Sequence, residues 1–545
     1  MKNMKKLLAL VIAVAMVLAM GVSVFAAEGK TITLKGAKAG HTYTLYQIFT
    51  GTVEEDGKTL TNIQWGADAN ATYKAAYTTA ASAAKAIAQQ NDARKTAQDL
   101  IANSYLGTGT PKAVTADGNV VFDNLAEGYY VIVDSITGTV AEEGDYSSAY
   151  IVQLVKDITP DVKGSGATSD KSVIDASNNK AEAAAYSIGD AVPFELSAKT
   201  ADNVAAYRKY HITFQDKQSA GLDAPTSFTV TALGKTFTVP ATGDDPAAQT
   251  TENGTKITVT KTTPDSGNTF AIKVEFEPVA VGEAAAAEYL NSECNSKDIL
   301  VNYTSTLNTN AEIGLPGNTN DSYIKYSNNP ESTDGHEEGK TPEDTVKVFT
   351  YKTVVDKVDA EGNALENAGF TIYKEVAEET ADAVKGSDIT FTTGVEHSAI
   401  NADKYYVAKA MKTVSGNNAQ FAFEGLADGT YVLVETKIPD GFNAYKSVEF
   451  TISSSVTEEG ITELTGTTPF TTSNPGQDGA VKADKKDGSQ HALDSGELYA
   501  EIENNSGAEL PTTGGIGTTI FYIVGAILVV GGGILLISRR RTSSN

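Results

Sequence analysis

Short runs in which Thr, Val, Ile, Tyr and Phe alternate with polar residues recur along most of the chain. They constrain its fold more than any other feature. Examples are 31–34, 129–133, 228–230, 256–259, 270–276 and 431–435. Successive side chains of a strand point to opposite faces, so this alternation describes strands with one face buried. Frequent Gly, Asn and Asp between the runs supply turns, which makes antiparallel β-sandwiches the expected architecture. One stretch breaks the pattern. From Ala67 to Tyr105 alanine dominates, and Ile87, Leu100 and Ile101 fall at helical spacing. One or two helices inserted in the first domain are predicted there.

The two ends limit what can fold. Lys2, Lys5 and Lys6 precede an apolar run from Leu7 to Ala19, and the stretch from Gly21 to Ala27 follows, with small residues at the cut. This is the pattern of a signal peptide, residues 1–26, with cleavage after Ala26 or Ala27. At the other end, residues 516–537 carry no charge and are apolar or glycine apart from Thr518, Thr519 and Tyr522. Those 22 residues can cross a hydrocarbon core as a helix. Arg539, Arg540 and Arg541 put the tail, 538–545, on the cytoplasmic side. The chain between is too long for one core and divides at its linkers. Domains are predicted at 28–160, 167–330 and 346–507, with polar, Gly- and Asn-rich linkers around 160–166 and 327–344.

The net charge of −26 excludes nucleic acid as a partner, because phosphates would repel such a surface. A single cysteine, Cys294, rules out an internal disulfide, so an exported chain of this size needs another source of resilience. No motif surrounds Cys294, and a buried thiol is expected. The five histidines, His41, His211, His336, His397 and His491, have no metal spacing. No phosphate-cradling loop or Ser-His-Asp pattern is present. Neither enzyme activity, cofactor nor metal is expected. Trp65, the only tryptophan, is a poor basis for a sugar-stacking platform.

Leu510-Pro511-Thr512-Thr513-Gly514, followed by the apolar span and the arginines, resembles the cell-wall sorting signal of Gram-positive surface proteins. The resemblance implies that a sortase cleaves between Thr513 and Gly514 and passes the Thr513 carboxyl to an amine. Peptidoglycan is the implied final attachment.

Three stretches of the third domain resemble the collagen-adhesin B-type domain of pilins and adhesins, an inverse immunoglobulin sandwich. They are Val354–Leu365 with Ala368–Tyr373, Gly429–Phe442, and Ile502–Gly507. The resemblance implies an internal isopeptide bond in which Lys357 supplies the amine, Asn504 the carboxamide and Glu435 the catalytic acid. Lys352 and Asn505 are the alternatives. The chemistry is coherent. Burial strips the lysine of its proton and keeps the glutamate protonated, and fixing the groups together supplies proximity.

The second domain, through Tyr186–Phe194, Tyr207–Leu222 and Tyr323–Pro330, resembles the middle domain of sortase-assembled major pilins. The implied bond joins Lys171 to Asn328, with Asn329 as alternative. Asp216 is the implied acid, and Glu195 or Glu275 the alternatives. The first domain, through Tyr43–Gly51 and Gly128–Asp134, resembles the N-terminal domain of the same pilins. It offers no convincing Lys/Asn pair, so no bond is predicted in it. The acceptor lysine of such pilins sits in a Pro-Lys motif, whereas here Pro160 is followed by Asp161. Lys163 is the best candidate acceptor and Lys156 the second.

The expected fold is therefore a tandem of immunoglobulin-like β-sandwiches with a small helical insertion. The expected function is a structural subunit of a covalent pilus, with sortase, other subunits and peptidoglycan as partners. Host matrix or glycan is a further possible partner, and a monomeric wall-anchored adhesin is the alternative.

Overall fold

A computed structural model describes residues 29–90, 93–136, 146–162, 166–240, 246–282, 284–330, 332, 338–380, 382–413, 418–469, 493–506 and 523–530. The predicted signal peptide, the sorting motif and most of the apolar span lie outside them. Within that span, residues 523–530 are helical. No helix among the described residues is long and apolar enough to cross a membrane.

The chain divides into two compact units. One runs to Thr350 and takes in Val456–Ile461. The other holds Tyr351–Ser455 and the chain from Thr462. The first unit contains both the first and the second predicted domains. The first has two apolar clusters, one around Ile48, Tyr73 and Leu100, the other around Leu34, Tyr43 and Ile132. The second has a single large core around Phe194, Phe214 and Tyr303.

In the first domain, strand His41–Val53 pairs with Leu60–Trp65, Thr110–Ala113 and Gly128–Ile136, while Lys30–Ala37 pairs separately with Gly118–Leu125. The alanine-rich stretch forms three helices: α1 (Ala71–Ala76), α2 (Ala80–Gln90) and α3 (Ala93–Ala102). The Asn70 side chain caps α1 by accepting from Tyr73 N at 3.0 Å, and the extended backbone at Tyr77 ends it, so the predicted one or two helices are more divided than expected.

The middle domain is a sandwich of a six-stranded and an eight-stranded sheet. Its first strand, Thr168–Ile174, pairs with Ala191–Lys199, which in turn pairs with Asp298–Thr306. In the facing sheet Tyr210–Gln218 lies between Phe270–Pro278 and Asn318–Ser327. The predicted end of this domain at 330 needs correction. Strands Glu338–Lys340 and Asp344–Phe349 also pair with Asn318–Ser327. Val346, Val348 and Phe349 are fully buried, so the apolar side chains of 344–349 complete this sheet and do not open the next domain.

The last domain has a four-stranded and a six-stranded sheet. Its first strand, Tyr351–Asp359, runs parallel to its last described strand, Glu497–Asn504, and antiparallel to Gln420–Leu426. Gly429–Lys437 belongs to the other sheet, between Gly369–Val376 and Val448–Thr457. The mainly β, tandem-sandwich fold expected from the alternation is the one observed.

Candidate functional site

Lysine is seldom buried, because its ammonium loses hydration and its stem loses rotamer freedom. Among the described residues two lysines are buried, Lys171 at 0% exposure and Lys357 at 1%. They are the two that the sequence singled out, and each meets a carboxyl group inside its own sandwich.

In the last domain, Lys357 sits on the first strand and Asn504 on the parallel last strand. Lys357 is opposite Ile502, and Asn504 is opposite Asp359, two residues farther along on the same face. The Lys357 ammonium group donates to Ile502 O at 3.1 Å. Glu435 arrives from the facing sheet. Asn504 Nδ2 lies 2.9 Å from its Oε1 and 3.0 Å from its Oε2, and Lys357 Nζ is 3.9 Å from Oε1. Tyr445 N donates to Oε2 at 2.6 Å. Burial pushes the Lys357 amine down to about 8, against the pull of Glu435. Burial also pushes the Glu435 carboxyl up, against its hydrogen bonds from Tyr445 and Asn504 and the charge of Lys357. Both shifts favour a neutral amine beside a neutral acid. Asn504 Oδ1 has no partner. A half-turn of the amide would bring that oxygen to the carboxyl, where a protonated Glu435 donates to it and polarises the carbonyl.

In the middle domain, Lys171 Nζ lies 2.5 Å from Asp216 Oδ2, with both side chains at 0% exposure. Burial is the largest influence on both groups. It lowers the lysine and raises the aspartic acid, each opposed by the other's charge. The site is dry and aromatic. Lys171 Nζ is 5.8 Å from the Phe194 ring centroid and 5.9 Å from that of Tyr303. Tyr303 Oη donates to Asp216 Oδ2 at 2.7 Å and accepts from Lys171 Nζ at 3.3 Å. It also accepts from Asn320 Nδ2 at 2.8 Å. Asn320 is 0% exposed, and its Oδ1, like Asp216 Oδ1, has no partner.

The structure thus gathers Lys171, Asp216 and Asn320, and it does not bring Asn328 to them. Asn328 lies just past the end of the strand Asn318–Ser327, and its carbonyl accepts from Ser147 N at 2.6 Å. Eight residues of strand separate it from Asn320, roughly 26 Å. The expectation for Asn328 is corrected on that ground. Asn320 is opposite Gln218, and Asp216 is opposite Ser322, so the two side chains are diagonal neighbours on one face. Asn320 and Tyr303 were missed in the sequence, although a signal existed. Asn320 has the parity of the buried Ile324 and Tyr326, and Tyr303 that of Ile299 and Val301.

The alternatives have other duties. Lys352 pairs with Glu497 at 2.9 Å. Glu195 pairs with Lys180, and Glu275 with Lys209 and Lys273. Asn505 is exposed and Asn329 half-buried. Lys156 is exposed. Lys163 and the residues Leu510, Pro511, Thr512, Thr513 and Gly514 lie outside the described residues.

Cys294 is fully buried, and burial pushes its thiol up to about 11, which suits an inert core residue. Ser327 Oγ, the His211 ring and Glu338 form a string of contacts at 2.9 Å and 2.7 Å. Ser327 is 1% exposed and also accepts from His211 N, so the string ties Glu338–Lys340 to its sheet. Among the described residues no cluster of His, Cys, Asp or Glu is placed to hold a metal ion.

Residues 352–467 match the prealbumin-like fold domain family, and residues 502–544 match the LPXTG cell wall anchor motif. The anchor match makes this a cell-wall-anchored surface protein. No curated protein sequence matches the chain. Among solved structures it is similar to the T6 backbone pilin of serotype M6 Streptococcus pyogenes, at 17% identity and a TM-score of 0.49. That match covers 89% of this chain and 100% of the other. It is similar to the full-length major pilin SpaD of Corynebacterium diphtheriae, at 16% identity and a TM-score of 0.44, covering 89% of this chain and 99% of that one. Similarity to the major pilin SpaA of Corynebacterium diphtheriae has 14% identity and a TM-score of 0.40, covering 88% and 100%.

Proposed function

We propose that this chain is a structural subunit of a sortase-assembled pilus, stiffened by two internal amide cross-links, Lys357–Asn504 and Lys171–Asn320. The observation that carries the reading is the pairing of each of the two buried lysines with a buried carboxyl group and a buried asparagine amide. Such a cluster is costly unless it reacts, because two desolvated ionisable groups oppose folding.

The reaction follows from the neutral forms. The amine lone pair attacks the amide carbon. The acid protonates the departing nitrogen and takes a proton from the incoming one. One ammonia leaves for each bond formed. Proximity in a dry core replaces external activation. Each bond closes a loop of roughly 150 residues, which on the chain-entropy account is worth about 5 kcal/mol. Unlike a disulfide, it survives reductant.

Outside the sandwiches, sortase cleaves after Thr513, and Lys163 of the next subunit accepts the Thr513 carboxyl. Repeating one heterologous contact builds an open fibre wherever the rotation between subunits does not close a ring. Intact mass of the mature chain tests the cross-links: it should be short by two ammonias, and a full unmodified mass refutes both. A blot of wall extract tests the polymer. A high-mass ladder that disappears in Lys163→Ala supports the reading. A ladder that persists there and is lost in Lys156→Ala moves the acceptor. A single band makes the chain a monomeric wall-anchored adhesin.

A further inference from the structure

We propose that Tyr303 relays a proton between Asp216 and the Asn320 amide as the middle-domain cross-link closes. The inference rests on the cross-linking reading above and assigns a residue that the lysine, acid and asparagine pattern does not include.

The geometry is specific. One hydroxyl oxygen contacts all three reacting groups, Asp216 at 2.7 Å, Asn320 at 2.8 Å and Lys171 at 3.3 Å. Asn320 Nδ2 makes its hydrogen bond to Tyr303, whereas in the last domain Asn504 Nδ2 bonds the carboxylate itself. An aspartate is one methylene shorter than a glutamate, and the hydroxyl fills the missing length. The ring is clamped. It stacks on Phe194 at 5.4 Å and meets Phe270 edge-on at 5.0 Å, so the oxygen is held where the protons must pass. Burial and the neighbouring Asp216 hold the phenol well above its ordinary range. It therefore acts by giving and receiving a proton together, and never accumulates as phenolate.

The step balances as follows. Neutral Lys171 Nζ bonds to Asn320 Cγ, and the carbonyl pair moves to Oδ1. Once Asp216 is protonated, the Tyr303 hydroxyl turns from Oδ2, to which it donates in the structure, toward Nδ2, so that Asp216 gives its proton to Oη while Tyr303 gives its own to Nδ2. The Cγ–Nδ2 bond breaks and ammonia leaves with the electron pair as Oδ1 re-forms the carbonyl. Asp216, now a carboxylate, takes one proton from Nζ and is regenerated as the acid.

The test uses the whole chain synthesised cell-free and sampled over time, with peptide mapping to follow each cross-link separately. The Lys357–Asn504 bond is the internal control. Tyr303→Phe keeps the clamped ring and should slow the Lys171–Asn320 bond at least tenfold while leaving the control rate unchanged. Lengthening the acid in that background, Asp216→Glu with Tyr303→Phe, should restore part of the rate. Closure of the Lys171–Asn320 bond at the wild-type rate in Tyr303→Phe overturns the relay. If Tyr303→Phe does not fold, the solvent proton inventory of the wild-type reaction decides. Two protons in flight support the relay, and one overturns it. If wild-type chain forms no Lys171–Asn320 bond, the cross-linking reading of this domain fails first, a result distinct from failure of the relay.

Discussion

The two lysine clusters use the same three chemical groups with opposite layouts. In the last domain the lysine and the asparagine share a sheet, on parallel neighbouring strands, and the acid reaches across from the other sheet. In the middle domain the lysine sits in one sheet, and the acid and asparagine sit side by side in the other. The bond proposed in the last domain would tie the first strand to the last within a sheet. The bond proposed in the middle domain would staple the two sheets together. Where the acid is long, it touches the amide directly. Where it is short, a tyrosine hydroxyl stands between. The difference teaches that a buried meeting point of lysine, acid and asparagine can be supplied by strands arranged in more than one way.

The layouts differ most under load. Lys357 and Asn504 lie near the two ends of their domain, so with the proposed bond in place a pulling force would bypass almost all of its hydrogen bonds. In the middle domain, strands Glu338–Lys340 and Asp344–Phe349 follow Asn320 and lie outside the loop that the proposed bond would close. Single-molecule stretching should therefore release the segment from Asn320 to Phe349 as a step of about 100 Å of contour. No comparable step is expected from the last domain. Equal steps from both would break the comparison.

Next in size is the loss of either bond. Asn320→Ala and Asn504→Ala should each restore the mass of one ammonia. Each should lower the melting temperature of its own unit by roughly 10–20 °C, from about 5 kcal/mol of loop closure. Asn328→Ala should keep the full two-ammonia deficit relative to its own sequence mass. An ammonia regained in Asn328→Ala would return the bond to that residue.

Acid length sharpens the contrast further. The Tyr445 ring lies 6.0 Å from Lys357 Nζ, but among the described residues no hydrogen bond from its hydroxyl joins Glu435 to Asn504, so Glu435→Asp should slow the Lys357–Asn504 bond at least tenfold, read by intact mass over time. A wild-type rate would show that reach is not what separates the two sites.

The pH dependence is smaller. Bond formation at Lys357 should accelerate as pH rises through about 8, where its amine loses its proton. In Asn504→Ala, which keeps the lysine unbonded, the unfolded chain binds the extra proton between about 8 and the ordinary lysine value. Stability should therefore rise with pH across that window and the gain should be absent below it. Adding Lys357→Met should remove the slope in urea titrations. The smallest effect is expected from Lys352→Ala, which breaks a partly exposed pair with Glu497 on the same strand pair. A change of about 1 kcal/mol or less, with no change in mass, would confine the cross-link to Lys357.

Much of this was legible in the chain. Alternation alone pointed to the sandwiches, and the Leu510–Gly514 motif to the wall anchor, because a period-two pattern and a short motif are local properties. Lys357, Glu435 and Asn504 were readable from the stretches around them, and Lys171 and Asp216 likewise. The helical insertion was visible as an alanine-rich stretch, although its division into three helices was not.

Motifs in the chain were enough to name the candidate reactive groups: two lysines, two acids and the strands that hold asparagines. The tertiary structure alone decided which asparagine meets Lys171 and that Tyr303 stands among them. It also decided that Asp344–Phe349 closes the middle domain. The reason is register. Parity tells which face a side chain takes, but sliding a strand by two residues preserves parity and changes every partner. Asn320 and Asn328 share that parity, and only the pairing of Asp216 with Ser322 places one of them within reach of the acid.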